Sequence, residues 1–289
     1  MAADDQLFAV TTRSRLKGPW FFPAMMISSA RIRRQLACTG DVVRWASVVA
    51  GPTEFWTITV WRSRHDMQEF MRSGAHDDIM WLFSRWLESF WLMRWRPGPE
   101  ERGDWGGLSM AQPDPAYESE RLGPSGNEAL QQALEHLPLL AAATGADGAA
   151  CYESSAYARQ RREEVGGAGG AVVHVKTSVV GTPAALVMLH RLRRQAREHH
   201  DLLRIAVGVG RPGEVYLLAV WRERTGAQRF LGSSLLGEAA RRWPDGLWAN
   251  EWLPENEFGH WDGMRLRRAR SRYTIQVPKA ALDLAEPGA

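Results

Sequence analysis

The chain has 289 residues, of which 45% are hydrophobic and 24% charged, and its formal net charge is only +3. That length suits two domains, each large enough for its own core, and so small a charge gives no argument for a nucleic-acid partner. No segment approaches the roughly 18 apolar residues of a membrane span, the first ten residues lack a basic and apolar leader, and Cys38 and Cys151 make no disulfide framework, so a cytoplasmic protein is expected.

In chain order, residues 7–16 read as a first strand. Residues 23–38 read as a helix, with Ala24, Ile27, Ile32 and Leu36 on its apolar side and an arginine cluster toward water; Thr39-Gly40-Asp41 ends it. Residues 42–50 form a second strand, and Gly51-Pro52-Thr53-Glu54 a turn. In residues 55–62, both alternating sets of side chains are bulky or β-branched, so this third strand has little water on either face. Asp66 is placed to cap a helical region over 66–86, in which Met67, Phe70 and Met71 share one side. Ser73-Gly74 interrupts it, and His76 starts its next part, where Asp77 and Asp78 suit the positive end of a helix dipole. Residues 90–96 complete a β-α-β-β-α-β order, the ferredoxin-like pattern.

The same order recurs. At a constant offset of 160 residues, Trp61, Val60, Arg62, Arg64, Gln68, Phe70 and Ser73 match Trp221, Val220, Arg222, Arg224, Gln228, Phe230 and Ser233. Arg31, Arg33, Arg34 and Gln35 match Arg191, Arg193, Arg194 and Gln195 at that offset, and Arg44 matches Arg204. With a small slip, Gly103 and Trp105 match Gly259 and Trp261. So long an ungapped diagonal reads as a tandem duplication of a whole domain, far beyond a solenoid repeat. The expected organisation is a ferredoxin-like domain over 1–110 and a connector with one helix over 111–167. A second ferredoxin-like domain over 168–266 and a basic tail over 267–289 follow.

In such a domain, helices cover one face of the sheet and the other face must also be buried. The expected fold is therefore α+β, with two tandem ferredoxin-like units packed sheet to sheet as an intrachain α/β barrel around an aromatic space; the 14 tryptophans fit that interior. This arrangement resembles the dimeric α/β-barrel superfamily, which includes antibiotic-biosynthesis monooxygenases, polyketide cyclases, haem-degrading monooxygenases, chlorite dismutase and aldoxime dehydratase. Residues 59–79, TVWRSRHDMQEFMRSGAHDDI, followed by SFWLMRWRPG at 89–98, are similar to spheroidene monooxygenase-like proteins. There a strand ending in Trp leads to a helix, a Ser-Gly-x-His turn, and a later strand ending in Arg-x-Arg-Pro.

The resemblance implies a monooxygenase-type oxidoreductase of secondary metabolism, acting on a hydrophobic or aromatic small molecule between the two domains. His76 is the first candidate, as catalytic residue and as axial ligand of haem iron, since haem-using members of the superfamily carry a helical histidine in that role. Leu236 stands at the matching place of the second copy, so the first copy alone keeps a site. Arg94 is the candidate for holding a carboxylate of the cofactor or substrate. Arg44 and Arg62 recur as Arg204 and Arg222 in the copy without the histidine, which assigns them a structural role. Trp45, Trp61 and Trp91 are candidates for the substrate pocket. Three alternatives stay open: a cofactor-free oxygenase, a cyclase or dehydratase of the same fold, and a non-catalytic ligand-binding protein. A monomeric pseudo-dimer or a homodimer is expected. His65, His136, His174, His190 and His260 lack partners at ligand spacing, and His199-His200-Asp201 reads as surface.

Overall fold

The computed structural model describes residues 7–40, 42–62, 64–76, 79, 85–112 and 168–264. The connector helix expected at 127–143, Asp77, Asp78, Trp81, Cys151 and the basic tail lie outside them. The first half contains β1 (Phe8–Leu16), a 3-10 turn, α1 (Phe22–Ala37), β2 (Val42–Val49), β3 (Glu54–Trp61), α2 (Arg64–Met71) and β4 (Leu87–Arg102). The second contains β5 (Gly169–Lys176), α3 (Thr182–Arg197), β6 (Leu202–Val209), β7 (Glu214–Trp221), α4 (Arg224–Leu231), α5 (Ser234–Arg242) and β8 (Leu247–Gly259). This is a mixed α+β fold built on one large antiparallel sheet. No described helix is long and apolar enough to cross a membrane.

The eight strands close into a barrel in the order β1-β3-β2-β6-β7-β5-β8-β4. Two separate sheets stacked face to face would leave four open strand edges, and unpaired edges are a liability. Here the edges pair instead. β4 and β8 run together from Trp91 opposite Gly259 to Arg102 opposite Ala249, whereas β2 and β6 meet only at Val49 and Val209. The β8 pairing is also why β4 continues to Arg102 instead of stopping at residue 96.

Inward side chains fill the barrel. Trp56, Trp91, Trp95, Trp248 and Trp252 are all buried there with Ile58, Val60, Met93 and Leu218. The indole of Trp95 donates to Thr11 Oγ1 at 2.7 Å, and that of Trp91 to Glu257 Oε1 at 2.6 Å. Arg13, at 1% exposure, donates to Glu54 at 2.8 Å and to Ser89 and Asp262 at 3.0 Å each, so its buried charge is compensated. The expected aromatic space between the halves is therefore packed core.

Helices cover the outer faces, α1 and α2 on the first half and α3, α4 and α5 on the second. In α1, Met25, Ser28 and Leu36 are buried while Ile27 is 62% exposed, so the buried stripe is rotated from the expected one. Asp66 lies inside the first turn of α2 instead of capping it. Arg44 ties a loop to the barrel end, donating to the Trp105 carbonyl at 2.7 Å and the Gly106 carbonyl at 2.6 Å. Arg204 does the same with the carbonyls of Trp261 at 3.0 Å and Asp262 at 2.6 Å.

Candidate functional site

Outside the barrel, between α1, α2 and the outer face of β1–β4, lies a cavity of about 190 Å³. Its apolar wall comes from Met25, Met26, Ile32, Phe55, Trp61, Met67, Phe70 and Phe90. Hydroxyls of Thr12, Ser14, Ser29, Ser47, Thr57 and Thr59 interrupt that wall, and His76 and Arg33 also face it. Thr12 and Thr57 share a hydrogen bond of 2.5 Å across the β1–β3 pair, and the Trp61 indole donates to Thr59 Oγ1 at 2.8 Å.

The second half explains why this space exists. Registers relative to the terminal tryptophans of β3 and β7 place Thr12 and Ser14 where β5 has Val173 and Val175. Ser29 stands where α3 has Leu189, Ser47 where β6 has Val207, Thr57 where β7 has Leu217, and His76 where α5 has Leu236. Those six aliphatic side chains are buried in one continuous core. The first half thus has shorter or polar groups at the positions that the second half uses for packing. Replacing core aliphatics by hydroxyls lowers packing energy, and a polar lining is retained where something polar or reactive is to be held.

His76 is fixed from two sides. Its ring Nδ1 lies 3.1 Å from the Met71 carbonyl oxygen. A carbonyl only accepts, so in the neutral ring Nδ1 carries the proton and Nε2 keeps the lone pair. Its backbone N–H donates to Gln35 Oε1 at 2.9 Å, while Gln35 Nε2 donates to the carbonyls of Phe70 at 3.2 Å and Ser73 at 2.8 Å. Gly74, at a φ of +58°, supplies the left-handed residue that this turn requires. In the second half the N–H of Leu236 goes to the Ser233 hydroxyl at 3.3 Å, an ordinary helix cap. Phe70 packs against the imidazole, with ring centres 5.0 Å apart.

Of the residues singled out by sequence, His76 and Trp61 meet at this cavity. The other three do not line it. Trp45 is on the same side of the sheet, packed against the neighbouring cluster, with the Arg211 guanidinium 4.7 Å from its ring centre. Trp91 points the opposite way, into the barrel, because it alternates with Phe90 and Leu92 along β4. Arg94 is 4% exposed, opposite Val10 on β1 and Asn256 on β8. Sequence reasoning passed over Gln35, Arg33 and the hydroxyl set. The hydroxyls had a signal in the internal comparison, as Ser and Thr opposite Val and Leu, whereas Arg33 and Gln35 recur as Arg193 and Gln195 and had none.

Two other groups bear on cofactors. His65, Asp66 and Glu69 offer possible ligand atoms within 4.8 Å of one another, but His65 and Glu69 are exposed and none of the three lines the cavity. His174, set aside in the sequence as partnerless, lies inside the barrel, stacked on Tyr216 with ring centres 4.4 Å apart. Burial, with Lys176 nearby, pushes its pKa down to about 3, and burial drives the Tyr216 hydroxyl upward.

No family model matches the chain, and no curated protein matches it. Among solved structures, it is similar to aldoxime dehydratase OxdRE in complex with butyraldoxime, at 8% identity and a TM-score of 0.48, covering 88% of this chain and 81% of that one. An anthrone oxidase-like protein matches at 12% identity and a TM-score of 0.31, over 93% of this chain and 99% of that one. A variant of SnoaB, a cofactor-independent oxygenase from Streptomyces nogalater, matches at 13% identity and a TM-score of 0.26, over 31% of this chain and 90% of that one.

Proposed function

We propose that the protein is an oxygenase-type enzyme acting on a small hydrophobic or aromatic molecule held between α1, α2 and the outer face of β1–β4, with His76 as the reacting group. The carrying observation is that Thr12, Ser14, Ser29, Ser47, Thr57 and His76 surround a cavity of the first half at the positions where the second half packs Val173, Val175, Leu189, Val207, Leu217 and Leu236. We also read the two halves as a duplicated ferredoxin-like unit, supported by the matching Arg44 and Arg204 contacts and by the strand orders 4-1-3-2 and 8-5-7-6.

The tautomer of His76 suits an iron ligand, but the volume does not suit haem. A space of about 190 Å³ is close to the ~150 Å³ cavity that accepts benzene, and a tetrapyrrole is several times larger. No step is therefore assigned to haem. The lone pair on Nε2 instead supports a general-base role: it removes a proton from a phenol or an activated C–H of the substrate. The resulting electron-rich anion then reduces dioxygen itself. The Thr12–Thr57 and Thr59 hydroxyls orient the substrate's oxygen, while Met67, Phe70 and Trp61 hold its apolar body and exclude water.

Oxygen uptake by the purified protein with alkylphenols and naphthols tests this reading. His76→Ala should lower the rate by about 10²-fold or more, the usual contribution of a positioned base. Equal rates in wild type and variant, or no uptake with any such substrate, would sink it. Product formation without oxygen consumption would select the dehydratase or cyclase alternative, and a Soret band on adding hemin that His76→Ala abolishes would restore haem.

A further inference from the structure

We infer that the molecule taken up by this cavity carries an acidic group, a carboxylate or its equivalent, bound by Arg33. The inference rests on the cavity being the ligand site and names the charge of what fills it. Two observations carry it. Among the described residues no Asp or Glu lines the cavity, so the described wall consists of apolar surface, hydroxyls, one imidazole and one guanidinium. And Arg33, half-buried in that wall, makes one hydrogen bond among the described residues, from Nε to the Ser29 carbonyl at 3.3 Å. Its two terminal nitrogens carry the donors that a carboxylate takes in parallel.

Other arginines have carboxylate partners: Arg13 has Glu54 and Asp262, Arg96 has Glu255, and Arg224 holds Glu251 through two nitrogens. A guanidinium beside an apolar cavity, where no described wall residue is an acid, favours an anion in a partly desolvated place where the pairing is stronger than at the open surface. The ligand is then amphipathic. Its acidic end meets Arg33, and its body, of one or two small rings, lies along Met25, Met67 and Phe70.

The test is direct binding, which needs no turnover. Titration calorimetry at low salt compares 4-propylbenzoate with its neutral isostere 4-propylbenzamide. Wild type should bind the benzoate about tenfold more tightly, the scale of one charge-assisted pair. Arg33→Gln should erase that preference while binding the amide as wild type does, Arg33→Lys should keep part of it, and added salt should reduce it. Equal affinity for the two probes in wild type, a preference that survives Arg33→Gln, or binding of neither probe would overturn the inference. Oxygen uptake reports separately on the oxygenase reading: a benzoate preference without oxygen consumption keeps Arg33 and removes His76 as a base, and uptake without the preference does the reverse.

Discussion

At the scale of single residues, the position of His76 depends on a neighbour that does not face the ligand. Gln35 holds the turn on both sides, through its Oε1 to the His76 N–H and its Nε2 to the Phe70 and Ser73 carbonyls. Gln35→Leu leaves those three groups without their partner, a cost of about 1–3 kcal/mol. The variant should also show His76 sampling both tautomers. Ring nitrogen shifts measured by NMR report this; a ring still protonated only at Nδ1 would mean that Met71 alone fixes it. His174 makes a different prediction. It is 3% exposed and its folded-state pKa is about 3, below the 6.5 of the free side chain. Above pH 6.5 both folded and unfolded chains hold it neutral. As pH falls below 6.5, the unfolded chain takes up the proton and the folded one does not, so stability declines until about pH 3. At pH 5 this group should account for about 2 kcal/mol of lost stability. Urea unfolding of wild type and His174→Phe at pH 7 and pH 5 measures it, and an equal pH dependence in both proteins would refute it.

At the scale of elements, α1 and α3 are the informative pair. Both begin with a proline near the first turn and end in arginines, and both lie across four strands. α3 buries Ala185, Met188, Leu189, Leu192 and Ala196. α1 presents Met25, Ser28, Ser29, Ile32 and Leu36, with Ser28 and Ser29 where α3 has Met188 and Leu189. The second half is thus a template for closing the cavity. Ser29→Leu with Thr57→Leu should fill it as Leu189 and Leu217 fill theirs, raising stability by roughly 0.5–2 kcal/mol, the common yield of cavity filling. The same double variant should lose ligand binding. Chemical denaturation and calorimetry check the two effects together; a destabilised protein that still binds would show that the two halves pack differently there.

At the scale of the whole molecule, the barrel closes through two unlike seams. β4 and β8 pair over a long ladder, with Arg13 reaching across to Asp262. β2 and β6 share one residue pair, and several residues of β2 and β6 are only half-buried. Sub-global opening follows the fewest buried contacts and hydrogen bonds. Amides of β2 and β6 at Val49 and Val209 should therefore exchange faster than those of β4 and β8 in native-state hydrogen exchange; uniform protection around the barrel would contradict this. Gly210 beside that weak seam lines the cavity, so opening there widens the ligand's space.

Much of this was legible in one dimension. Strand alternation and helical spacing are local properties, so the element order and the α+β class followed from residues such as Phe55–Trp61 and Met67–Phe70–Met71, and the offset that pairs Trp61 with Trp221 exposed the internal likeness. His76 stood out because Leu236 opposes it. What the sequence left open was direction and space. Trp61 and Trp91 look alike in a string, yet the pleat sends one to the cavity and the other to the barrel core. The cavity itself is a missing volume, the joint result of shorter side chains on α1, β1, β2 and β3, and such a sum exists only once those elements are packed against one another.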